Sequence, residues 1–424
     1  HLASKCEGQQ RILVTTFTAN LAADIRENLR KICTLEELRR IEVIHLDAWV
    51  NQFLRESGFS AQIGYDDVIN PLWEKAVLSA NIDLPFETSF YEEEWNRIAI
   101  AQEALTLEKY VRATRNGRGT RLDRKKRMQV WKVFENYQNL MKENQIRDIN
   151  TAMYESTKLL QSTGRKPRYA SIIIDEGQDF SDNAYRLIRA LAGEEHPNDI
   201  FIVGDSHQRI YRNHPTLSKC GINVRGRSSI LKINYRTTEE IRKYAFALLN
   251  GISFDDLDEN SDLGDKCQSL THGEKPIVEN FENANDEFDF LLHEVKKLKE
   301  NGISLTDICV VARTKKLVDD YIALFTKAGI CAYVIKKNKV DDRSFDGLRV
   351  ATMHRVKGLE FKYVFIVAAN SRIIPLPSAI NKTDPVSEVE SVTSEKCLLY
   401  VAMTRAQKGV YITSYGRKSV FLKS

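Results

Sequence analysis

A hydrophobic run, Ile172 to Ile174, ends in two adjacent carboxylates, Asp175 and Glu176. A buried strand of that kind delivers acids to its C-terminal edge, and in a doubly wound sheet that edge is where ligands bind. One acid there can hold Mg²⁺ through water while its neighbour orients and deprotonates an attacking water, the arrangement that phosphoryl transfer needs. The same acids could instead cap the helix pattern SDNAYRLIRAL (181–191), yet Asp179 or Ser181 stands closer to that helix start. A second apolar run, DIFIVGD (199–205), continues into GDSHQ (204–208) and presents Gln208 at the end of the next strand.

The elements that must position these residues alternate. Short β-branched runs at 11–16, 41–44, 170–175, 199–205, 229–234, 307–313, 347–353, 363–369 and 409–414 fall between helical patterns, which predicts α/β units with parallel strands. Residues 285–300 predict a helix, with Phe288, Leu291, Leu292, Val295 and Leu298 on one face and Gly302 beyond its end. From Ala48 to Lys166 the strand signal gives way to helical periodicity, as in Val130, Phe134, Tyr137 and Met141, and predicts an all-helical insertion. The Gly- and Asp-rich stretch 251–265 reads as a surface loop.

A chain of 424 residues is long enough for two or three domains, each burying a core. An apolar share of 42% against 28% charged residues fits a soluble protein rather than a disordered or membrane one. Seven cysteines form no C-x-x-C pair and no metal-ligand spacing, so reduced thiols and a cytoplasmic location are expected. No apolar run approaches the roughly 20 residues that span a bilayer. Between Arg112 and Lys132 nine basic residues face one acid, Asp123, and VRGR (224–227) adds a second cluster. Such a stripe can neutralise phosphates, with Gly and Thr in GRGTR letting backbone approach them, or it can be a solvated helix face.

Six blocks carry a resemblance in their order and spacing: VTTFTANLAADIRENL (14–29), IIIDEGQDF (172–180), FIVGDSHQRIYR (201–212), INYRTTEEI (233–241), ATMHRVKGLEF (351–361) and LLYVAMTRAQK (398–408). Together they make the chain resemble superfamily 1 DNA helicases of the UvrD/Rep/PcrA type. The resemblance implies an α/β fold of two RecA-like, P-loop NTPase-type domains with parallel sheets: a first domain at 1–47 and 167–230, a helical insertion at 48–166 and a second domain at 231–424. It implies ATP and Mg²⁺ as cofactors, single-stranded DNA as partner and no membrane. The family's phosphate cradle, G-x-x-x-x-G-K-[ST], does not occur in the 424 residues. The expectation is therefore a fragment, inactive alone, whose upstream segment carries the cradle, with a naturally degenerate helicase as the alternative. Only residues 338–346 separate VIKK from GLRVATM, where the family inserts a large helical subdomain. Unwinding is therefore expected to need an accessory protein or additional domain.

By resemblance Asp175 holds the metal and Glu176 activates water, Gln208 senses the γ-phosphate, and Gln178 passes the signal between sites. Arg236 and Arg405 reach the transferred phosphate from the second domain, Tyr235 stacks on adenine, and Glu360 contacts the ribose. On the nucleic-acid side the matching residues are Thr16, Phe17, Thr18 and Asn20; Trp49, where the family pattern is altered; Tyr211; and Thr352, His354 and Lys357. Arg115, Arg118 and Arg121 are the phosphate-contact candidates of the basic stripe. Asn213 and His214 replace a family aromatic and Arg, which makes one stacking platform doubtful. The function implied is an ATP-dependent helicase or translocase moving 3′ to 5′ on single strands, with ATP hydrolysed between the two domains. A catalytically inactive DNA- or protein-binding scaffold of the same fold stands as the rival.

Overall fold

The computed structural model describes residues 1–115, 118–164, 169–211, 215–255, 261–262, 267–336, 341–342, 344–382 and 384–422. Four short strands build a first parallel sheet: β1 (Arg11–Thr15), β2 (Ile41–Val43), β3 (Tyr169–Ile174) and β4 (Ile200–Ile202), in the order β2-β1-β3-β4. Continuous apolar runs suit strands covered on both faces. Leu13, Ile172 and Ile174 are accordingly buried in one cluster, with Ile12 and Val14 in another across the sheet. The ladder continues past the strand ends, with Asp175 N–H donating to the Thr15 carbonyl and Val203 N–H to that of Ile174. That continuation sets the segments after β1, β3 and β4 side by side at one edge.

A second parallel sheet has the order β5-β10-β9-β6-β8-β7, from β5 (Ile277–Phe281), β6 (Ile308–Ala312), β7 (Ala332–Val334), β8 (Leu348–Thr352), β9 (Phe361–Ile366) and β10 (Ala406–Tyr415). Neighbouring residues alternate between two cores: Val311, Ile366 and Ile412 pack on one face, Val310, Phe365 and Tyr411 on the other. The α/β fold with parallel sheets is therefore as the sequence implied. The predicted helix at 285–300 spans Ala284–Glu300, capped by the Asn283 side chain, with Gly302 at φ +81° just beyond it.

Between β2 and β3 the insertion forms its own core, from Ile69 to Met141, while helices Leu46–Glu56 and Ile149–Ser162 pack into the first domain's core. Its centre is aromatic. Trp73 stacks on Tyr137 at 3.7 Å and meets Trp95 and Phe134 edge-on at 6.4 and 6.3 Å. Two expectations need correction. The insertion is not all helical, since Gln62–Gly64 and Ile146–Asp148 pair as a parallel ladder at its base. The strand expected at 229–234 shrinks to Ile233–Asn234, paired with Gln268–Ser269, and Ile230 and Leu231 are exposed with no sheet to cover them.

Replacing Trp73 with Ala is expected to cost the insertion about 3–5 kcal/mol, because surrounding rings fill the cavity only partly. Hydrogen exchange across Arg124–Glu143 measures it, and protection unchanged from wild type would refute this account of the packing.

Candidate active site

After β3 the chain turns sharply at Glu176, which takes the left-handed conformation (φ 56°, ψ 41°). A non-glycine residue held there stores strain that its surroundings must hold in place. Asp175 and Glu176 thereby sit together, and the Asp175 carboxyl is raised above its usual range by burial and then by the Glu176 charge. The fully buried Gln178 amide donates to Glu176 Oε2 at 2.6 Å and accepts from Asp205 N–H at 3.1 Å. It thus ties the edge after β3 to the edge after β4. Residue 204 must be glycine for this, since a Cβ would stand 2.6 Å from Gln178 Oε1.

Asp205 organises the next turn, accepting from His207 N–H at 3.0 Å and from the Gln208 amide at 2.9 Å, with His207 Nδ1 3.1 Å away. Burial raises this carboxyl, but those hydrogen bonds outweigh it and hold the group below its usual range. His207 is buried against Phe254, ring centroids 4.6 Å apart.

From the second domain Arg405, 1% exposed, donates to Gln208 Oε1 at 2.8 Å. Burial and the neighbouring Arg236 bring its guanidinium down to about 10, so it stays charged at neutral pH. Arg236 Nε donates to Glu360 Oε1 at 2.6 Å, and the Gln407 amide holds the other Glu360 oxygen at 3.0 Å. Tyr235 stands 74% exposed beside them. Two carboxylates on one domain thus face two guanidinium groups on the other. Among the described residues no three metal-ligating side chains cluster. A carboxylate pair at a strand end suits Mg²⁺, which keeps its waters and takes one or two carboxylates plus phosphate oxygens.

Lys357 does not face a nucleic-acid surface. Its ammonium, on a side chain 4% exposed, crosses from the second domain to donate to Asp179 Oδ2 and, at 2.9 Å, to the Gln208 carbonyl, and lies 3.2 Å from Glu176. Ser181, rather than Asp179, caps the following helix. Burial pushes the Asp179 carboxyl up to about 7, against the pull of Lys357. Asp179 and Asp205 are the two residues of this cluster that pattern reading did not bring into it. The DEGQD spacing contained the signal for Asp179, but its partner lies 178 residues away.

The strand-facing candidates divide. Phe17 is half-buried with its ring 4.5 Å from that of Tyr211 and 6.1 Å from Phe180. Thr16 is buried, and Thr18 caps helix α1 (Ala19–Ile32) by accepting from Leu21 N–H at 3.3 Å. Asn20 donates to the Lys336 carbonyl across the domain boundary at 3.3 Å. Trp49 belongs to the core: it is 3% exposed, stacks on Phe53 at 4.9 Å and donates to the Tyr169 hydroxyl. It offers no stacking platform. Thr352 and His354 are half-buried. Arg115 and Arg118 also require correction, since Arg115 bonds Glu94 at 2.6 Å and Arg118 bonds Glu93 at 2.6 Å and Glu94 at 3.2 Å, with side chains 7% and 1% exposed. These carboxylates take the charge that a phosphate would need. Arg121 is exposed. Asn213 and His214 lie outside the described residues.

Residues 1–214 match the UvrD/REP helicase N-terminal domain, and residues 229–345 and 337–417 match the UvrD-like helicase C-terminal domain. The chain belongs to the UvrD-like helicase family. It is 23% identical, over 97% of its length, to a probable DNA helicase of Mycoplasma pneumoniae, and 22% identical, over 77%, to a probable DNA helicase II homolog of the same organism. It is 24% identical, over 72%, to the ATP-dependent DNA helicase PcrA of Leuconostoc citreum. The chain spans 75%, 48% and 41% of these relatives. No described helix is long and apolar enough to cross a membrane.

His354 supplies a pH test. Burial, then the charge of Arg313, brings its imidazole down to about 4, so it is neutral in the fold at pH 7. Between that value and the ordinary value near 6.5 the unfolded chain binds the extra proton, and stability falls as pH drops through this window. Thermal unfolding midpoints from pH 7 to pH 4 are expected to fall less steeply in His354→Gln than in wild type. Equal slopes would show that His354 is not held neutral.

Proposed function

We propose that this chain carries the strand-gripping and water-activating parts of an ATP-dependent DNA helicase that moves 3′ to 5′ on single-stranded DNA, with ATP hydrolysed between the two α/β domains. The observation that supports this reading best is the opposition of Asp175 and Glu176 to Arg405 and Arg236 across the domain boundary, with Gln208 bonded to Arg405. Bound ATP with Mg²⁺ supplies the phosphoryl group to be transferred. Asp175 would hold the Mg²⁺, which would offset phosphate charge, and Glu176, steadied by Gln178, takes the proton of the attacking water. Arg236 and Arg405 stabilise charge that develops on the equatorial oxygens. Gln208, joining Asp205 to Arg405, links the phosphate's state to the position of the second domain. Tyr235 stacks on the base, and Glu360 positions Arg236 beside the ribose.

On the nucleic-acid side Phe17 and Tyr211 form an aromatic step for bases, of the kind single-strand binders use. Asn20, Thr352 and His354 line the strand's backbone, with His354 acting as a neutral hydrogen-bond donor, and Arg121 meets phosphate. The scaffold reading makes no use of an acid pair facing two arginines. Within the 424 residues no G-x-x-x-x-G-K-[ST] is present, so the test uses the full-length protein. Glu176→Gln is expected to lower strand-stimulated ATP turnover by about 10²-fold or more while nucleotide binding persists. Turnover near the wild-type rate would refute the assignment, and no turnover in the wild type would favour the scaffold.

A further inference from the structure

The insertion is rooted in the first domain, yet its far side is fastened to the second. The fastening is almost wholly polar and centres on the start of helix α2 (Pro385–Met403). Asp384, fully buried, caps that helix by accepting from Val386 and Ser387 N–H, and the same carboxylate accepts from Gly119 N–H at 3.2 Å and Thr120 N–H at 2.6 Å in the insertion. Arg97 meets Glu390 with both of its terminal nitrogens, at 2.8 and 3.1 Å. Glu93 accepts from Asn381 at 3.1 Å, from the Ser387 hydroxyl at 3.0 Å and from Arg118 at 2.6 Å. Residue 119 must be glycine, because a Cβ there would stand 2.7 Å from Asp384 Oδ1.

This second attachment lies far from the first. Lys357 and Arg405 join the domains at the nucleotide side, just beyond the C-terminal end of α2, while the insertion grips its N-terminal end. Nineteen residues at 1.5 Å rise put roughly 28 Å between the two ends. Between them lie Glu395, which holds Arg313, and His354, which feels both charges. The Tyr211 hydroxyl is pushed up to about 12 by burial, with Asp179 of the first domain, Arg355 of the second and Asp66 of the insertion near enough to act on it. All three bodies therefore meet around the aromatic step.

We propose that the Glu93, Arg97, Arg118 and Gly119–Thr120 contact with Asp384, Ser387 and Glu390 is a clasp that closes a ring around the strand-facing residues. It must open to admit a single strand that has no free end, and it retains the strand once shut. The chemistry suits a clasp. Ion pairs and hydrogen bonds rehydrate when they part, so opening exposes little apolar surface, and of these contacts the Arg97–Glu390 pair, with side chains 23% and 18% exposed, is the one that salt reaches. The enclosure rests on the strand-binding reading; the clasp itself does not.

Two measurements on the full-length protein test it. Without nucleic acid, energy transfer between dyes on the insertion and the second domain is expected to fall in Arg97→Glu and to recover in Arg97→Glu with Glu390→Arg. Transfer unchanged by the single reversal would overturn the clasp. With nucleic acid, Arg97→Cys with Glu390→Cys is bridged by a short bismaleimide with a reducible disulfide core to lock the contact, because an Arg–Glu pair holds the two backbones too far apart for a direct disulfide. Locked protein is expected to bind linear oligonucleotides as the reduced form does, and to associate with circular single strands at least about tenfold more slowly, since opening then limits entry. Equal association with circles and linear strands in the locked form would overturn the enclosure. If the clasp opens in the first measurement but wild type binds no single strand, the strand-binding reading fails, and the enclosure with it, while the clasp stands.

Discussion

One buried ammonium sets the relation between the domains. Lys357 reaches out of the second domain into a site with almost no water, where its partners are Asp179, Glu176 and the Gln208 carbonyl, all from the first. Removing one partner from a buried pair leaves an uncompensated charge and costs several kcal/mol, so the domains can part only if the whole group is rehydrated together. Such a contact favours two discrete arrangements over a continuum. Because Glu176 is one of the partners, the position of the second domain is felt directly by the carboxylate assigned to water.

Helix α2 carries that relation outward. Its first turn is held by the insertion through Asp384, Ser387 and Glu390, its middle presents Glu395 to Arg313 beside His354, and its end leads into Arg405 at Gln208. A rigid helix tied at both ends links whatever opens the cleft to whatever opens the clasp. Movement at one end of about 28 Å of helix reaches the other without passing through a loop. Tyr211, its ring 4.5 Å from that of Phe17, packs against the core that holds the last turns of this helix.

Much of the frame was legible because parallel strands buried on both faces must be runs of apolar residues, and the acid pair follows directly from such a run at Ile172–Ile174. Gln208, Arg236 and Arg405 came from motif resemblance, and the fold brings them to one cleft. What escaped has a shared cause. Arg115 and Arg118 read as a phosphate-binding stripe because their neutralising carboxylates, Glu93 and Glu94, lie more than twenty residues upstream and meet them only in the folded insertion. Lys357 read as a strand contact because its partners are far away in sequence. Trp49 falls at helical spacing, where a core residue and an exposed platform look alike until Phe53 and Tyr169 are in place. The short strand at Ile233–Asn234 shows the reverse case, a strand-like run that finds little to pair with.

The central claim is that the Lys357 pairing holds the cleft in register. Native-state hydrogen exchange over residues 174–180 and 353–360, in a cycle of Asp179→Asn, Lys357→Met and the double variant, measures the opening free energy directly. Each single change is expected to lower it by about 3 kcal/mol, and the double change by less than either single one, because an unpaired buried charge rather than a lost bond dominates the cost. Single effects that are small and simply add in the double variant would contradict the account.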